Sequence, residues 1–71
     1  MKEIRDIYYW DVADELIAGK TVYVVDKIEN ESFCVNNLAT EEYFDIVRLC
    51  KDTPKRFAFW VVTEVEEQNE Q

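Results

Sequence analysis

The sequence predicts one small α+β domain over residues 1–71, with elements in the order α-β-β-α-β. The strands form a three-stranded antiparallel sheet in the order 2-1-3, and both helices pack on one face of it. Three patterns carry this expectation. Residues Phe57 to Val62 read Phe-Ala-Phe-Trp-Val-Val, so both alternating sets of one strand are apolar. Trp10, Ala13, Leu16 and Ile17 recur at helical spacing and stop at Gly19. Two further apolar runs are separated by a short polar stretch, which marks a hairpin.

The first helix runs from Asp6 or Trp10 to Ala18, with Val12 at the edge of its stripe. Asp11, Asp14 and Glu15 fall early in it, where the helix dipole favours negative charge. Ile4, Ile7, Tyr8 and Tyr9 precede it as an extended arm or an extra helical turn. Thr21–Asp26 is the first strand and Ser32–Asn36 the second. The stretch between them lacks Asn-Gly or Asp-Gly, so a turn of four or five residues is expected.

Thr40 serves as the N-cap of the second helix, with Glu41 and Glu42 in its first turn. Tyr43, Ile46, Val47 and Cys50 form its apolar stripe, flanked by Phe44 and Leu49. Pro54 prevents continuation. The third strand begins near Arg56 and fades into Glu64–Glu67, while residues 1–5 and 67–71 fray.

In this register Val22, Val24, Phe33, Val35, Phe57, Phe59 and Val61 meet the helices. Tyr23, Val25, Cys34, Ala58, Trp60 and Val62 share the second face. A chain of 71 residues builds one core, so helices on one side leave that face to something else. Helices on opposite sides would cover both faces. Otherwise the cover is an N-terminal arm bearing Ile4 and Ile7, a second copy, or another protein.

Composition narrows the function. The net charge is −8, which repels nucleic acid and anionic membranes. No histidine is present, no glycine-rich phosphate loop occurs, and the single serine, Ser32, has no base nearby in sequence. Cys34 and Cys50 read as small buried hydrophobes, and two cysteines without histidine make no zinc site. No enzyme, metal or cofactor is expected. No secretory segment follows Met1 and no apolar run spans a bilayer, so a cytoplasmic protein with reduced thiols is expected.

Trp10 to Val22, with its helix–Gly19-Lys20–strand start, resembles the opening of small phage proteins that sequester cyclic-nucleotide defence signals. The likeness covers about a fifth of the chain, and Val25 and Asp26 stand where that family has an Arg and a Trp. No site residue is carried over from it.

The leading expectation is an acidic protein-binding module, homodimeric, that occludes a partner surface. Its interface would use Tyr23, Val25, Trp60, Val62 and Tyr9. Such a chain suits a phage or mobile element inhibiting a host factor. Asp11, Asp14, Glu15, Glu64, Glu66 and Glu67 are the acids that could imitate nucleic-acid charge. The alternative is a small-ligand or nucleotide-sequestering protein with its site at a subunit interface. Tyr23, Trp60 and the basic group Arg48, Lys51, Lys55 and Arg56 would line it.

Overall fold

Four strands, not three, make the sheet of the computed structural model, which describes residues Met1–Glu64. They are β1 (Lys2–Ile7), β2 (Thr21–Asp26), β3 (Glu31–Cys34) and β4 (Phe57–Glu64). Two helices, α1 (Val12–Ile17) and α2 (Thr40–Asp52), connect them, with short 3-10 turns at Tyr9–Asp11 and Val35–Asn37. The strand order is β1-β4-β2-β3, and every neighbouring pair is antiparallel.

The three-stranded 2-1-3 sheet is therefore corrected. Its adjacencies persist as β3-β2-β4, but β1 joins the free edge of β4 and the order becomes 1-4-2-3. Residues 1–5, expected to fray, enter a paired strand from Lys2, while 67–71 lie outside the described residues. The strand hid because Ile4 and Ile7 are spaced like helix residues and charges fill the gaps. An edge strand with one buried side chain needs no alternation, and only Ile7 of β1 is buried.

β4 is central, with β1 on one side and β2 on the other. Its helix-side residues Phe57, Phe59 and Val61 are buried, while Ala58, Trp60 and Val62 on the other face are only partly so. β1 and β2 run parallel with β4 between them, and β3 and β4 run parallel with β2 between them. The two crossovers through α1 and α2 therefore interlock.

Val12 of α1 and Cys50 of α2 join Val22, Val24, Phe57, Phe59 and Val61 in one buried cluster. Both helices thus lie against the same face. The buried phase of α1 differs from the expected stripe. Val12 is fully buried and Leu16 packs on the core, whereas Trp10 and Ile17 are 64% and 84% exposed. The helix starts only at Val12, after the 3-10 turn, and this shifts which residues face the sheet.

Gly19 has a φ of 83°, in the left-handed region that favours glycine. The Lys20 N–H donates to the Glu15 carbonyl and the Gly19 N–H to that of Leu16, a Schellman end to α1. α2 begins one residue before the expected cap. Ala39 is its N-cap, and its N–H donates to the Glu42 carboxylate at 2.8 Å. Past the end of β3, the Asn36 side chain extends the ladder. It accepts from the Val22 N–H at 2.9 Å and donates to the Lys20 carbonyl at 3.1 Å.

Candidate protein-binding face

The face of the sheet turned away from the helices is set by the strand register. Asp6, Trp60, Tyr23 and Cys34 form one row across the four strands. Ile4, Val62 and Thr21 form the next, and Ala58, Val25 and Ser32 flank the other side. No helix or strand among the described residues covers these side chains. The N-terminal segment does not fold across them; it lies in the sheet plane as β1.

The Tyr23 and Trp60 rings stack at 5.7 Å between centroids with 19° between planes. This directly opposed cross-strand pair makes a flat plate at the middle of the face. Ile4, 68% exposed, extends the apolar surface toward the β1 edge. At one border Tyr8 and Trp10 stack at 4.6 Å, nearly parallel, and both stand about two-thirds exposed. Tyr8, Trp10, Pro54 and Ala58 share a groove of about 420 Å³ whose lining also includes Cys50 and Phe59. Tyr9 lines the same groove from its inner side. It packs on the core and meets Trp10 edge-on at 5.1 Å, so its ring supports the border without belonging to the open face.

Charge is distributed differently from the simple groups in the sequence. Glu15 receives both Arg5, at 2.9 Å, and Lys20, at 3.2 Å, and these hydrogen bonds lower its pKa. Glu64 stands 3.9 Å from Lys2. Asp11 and Asp14 lie along the start of α1, and Glu66 and Glu67 lie outside the described residues.

The basic group is also divided. Arg48 pairs with Asp45. Arg56 grips both oxygens of buried Asp26, at 3.0 Å from Nε and 2.8 Å from Nη2. Asp26 also accepts the N–H groups of Ile28 and Glu29, so it ties the β2–β3 turn to the start of β4. The Arg56 bond lowers its pKa from 3.8 to about 2, against the opposing effect of burial and with help from the two N–H groups. Arg56 is held on the helix side of the sheet, away from Tyr23 and Trp60. Lys51 and Lys55 remain exposed near Pro54.

The thiols offer little chemistry. Cys50 is buried and burial raises its pKa, which suppresses the reactive thiolate. Cys34 is half-buried, with its sulfur 3.7 Å from the Asn36 Oδ1. Among the described residues no group of three or more His, Cys, Asp or Glu could hold a metal ion, and no helix is long and apolar enough to cross a membrane.

That Tyr23 and Trp60 share a face was legible from strand alternation; that they stand directly opposite and stack was not. The Asp26–Arg56 clamp was not, because its partners are thirty residues apart and neither belongs to an apolar pattern. No family model, curated protein or solved structure matches this chain.

Proposed function

We propose that this chain is a small acidic binding module that occludes the surface of a partner protein with its open sheet face. The observation that carries the reading is a face that no helix or strand among the described residues covers, centred on the Tyr23–Trp60 plate and extended by Ile4, Val25 and Val62. Aromatic plates at the centre of an apolar patch are where binding energy concentrates. The exposed Tyr8–Trp10 stack extends the apolar surface at its border, and contiguous exposed apolar patches mark interaction sites.

The net charge of −8 selects the partner's chemistry: an apolar patch ringed by Lys and Arg. Long-range attraction would speed encounter, and the desolvated aromatic plate would hold the complex. The mechanism is steric exclusion and requires no bond-making step.

The test is affinity capture from host extract with the wild type and with Trp60→Glu. It is followed by reconstitution with the purified captured protein. A stoichiometric complex that weakens at least about tenfold with Trp60→Glu, and weakens again as salt rises, supports the reading. A complex equally tight with Trp60→Glu would place binding elsewhere and sink it.

A further inference from the structure

The outer edge of β1 points to a second copy of this chain. β1 is a terminal strand of the sheet, so one row of its backbone groups has no strand partner among the described residues. Its sequence is Lys2-Glu3-Ile4-Arg5-Asp6-Ile7, and its side chains from Lys2 to Asp6 are exposed. Read against itself in the opposite direction about Ile4, this segment is complementary at every position. Lys2 meets Asp6, Glu3 meets Arg5, and Ile4 meets Ile4. Met1, 73% exposed, comes opposite Ile7.

We infer that two copies associate through antiparallel β1–β1 pairing about a two-fold axis at Ile4, giving a continuous eight-stranded sheet with four strands from each copy. The charges select this register over its neighbours. A shift of one residue sets Lys2 against Arg5 or Glu3 against Asp6. A shift of two sets Glu3 or Arg5 against itself, and in-register parallel pairing opposes every charge to its like. Opposite charges directly across a strand pair stabilise it, and like charges destabilise it. The alternate sides of β1 also agree with the fold. Glu3 and Arg5 lie toward the helices, where Arg5 already reaches Glu15, while Lys2, Ile4 and Asp6 lie toward the open face.

The opposite edge lacks this property. β3 is Glu31-Ser32-Phe33-Cys34 and contains no cation. Because the axis stands normal to the sheet, both open faces come to the same side and join across Ile4. The pairing does not depend on the open face having a partner protein.

The experiment is solution mass by light scattering, on the full chain and on three variants checked for fold by circular dichroism. The wild type is expected at twice its 8.5 kDa chain mass. Lys2→Glu sets two carboxylates together at each end of the pairing, and Asp6→Lys sets two ammonium groups together. Each alone should be a folded monomer, with dimerisation weakened about tenfold or more. An equal mixture of the two restores opposite charges at both ends and should dimerise again. Trp60→Glu should remain dimeric. A wild type that stays monomeric at its highest soluble concentration overturns the inference. So do single variants that keep the dimer, a mixture that fails to restore it, or a dimer lost with Trp60→Glu alone.

Discussion

Phe59 and Trp60 are adjacent in sequence, both aromatic, and belong to the same central strand, yet they meet opposite environments. Phe59 is 4% exposed among Val12, Val24 and Cys50, under the helices. Trp60 lies half-buried on the other side, stacked on Tyr23 and covered by no helix or strand among the described residues. Alternation along a strand assigns residues to faces but is silent about what each face meets. One face of this sheet holds the domain together, and the other meets no helix or strand among the described residues.

The contrast breaks most sharply in stability. Phe59→Ala should cost about 3–5 kcal/mol, the usual range for emptying a buried Phe site. A small domain rarely has more than about 3–5 kcal/mol to lose, so this variant should be largely unfolded. Trp60→Glu removes one aromatic pair worth about 0.5–1.5 kcal/mol beyond its contact area, and the new carboxylate stays in water. It should remain folded. Urea denaturation followed by circular dichroism measures both. Similar losses at the two positions would mean that the second face is covered in solution.

The helix-side face also contains a buried charge, and it sharpens the comparison through pH. Asp26 is 6% exposed, and its pKa falls from 3.8 to about 2 mainly through Arg56. Its folded value lies below its unfolded one, so its contribution is fully present above about pH 4. That contribution is lost as pH falls through 3.8 towards about 2, where the folded carboxylate takes up its proton. Asp26→Asn should lower the melting temperature at neutral pH and flatten the decline between pH 4 and 2. Thermal melts across that window check it. An unchanged acid profile in the variant would remove Asp26 as the source.

The difference between what could and could not be read from the sequence has the same physical root. Local periodicity located β2, β4 and the Tyr43–Ile46–Cys50 stripe of α2, because those side chains must repeat with the element to reach the core. The sorting of Tyr23 and Trp60 to one face followed from the same rule. β1 escaped because its place is fixed by the free edge of β4, a non-local demand with no periodic trace beyond Ile7. Arg56 looked like part of a basic cluster because a sequence cannot show that a buried carboxylate thirty residues away neutralises it. Trp10 looked like core because a large apolar residue at helical spacing ordinarily is, but the 3-10 turn ahead of α1 rotates it outward.

The two helices on the covered face end with unequal care, and this gives the smallest test. α1 closes with Gly19 in a Schellman motif, so its final carbonyls are satisfied. α2 opens at Ala39, which has no side-chain acceptor, and only the return half of a capping box exists through Glu42. Ala39 already has the extended backbone of an N-cap, with φ −66° and ψ 155°. Ala39→Ser therefore supplies a hydroxyl that can accept the Glu42 N–H without moving the chain. The gain should be about 1 kcal/mol, read as a higher urea midpoint with an unchanged slope. Because α2 touches only the covered face, the same variant should leave binding through Tyr23 and Trp60 unaltered. A gain in stability that also changed partner affinity would mean the two faces are coupled through the sheet.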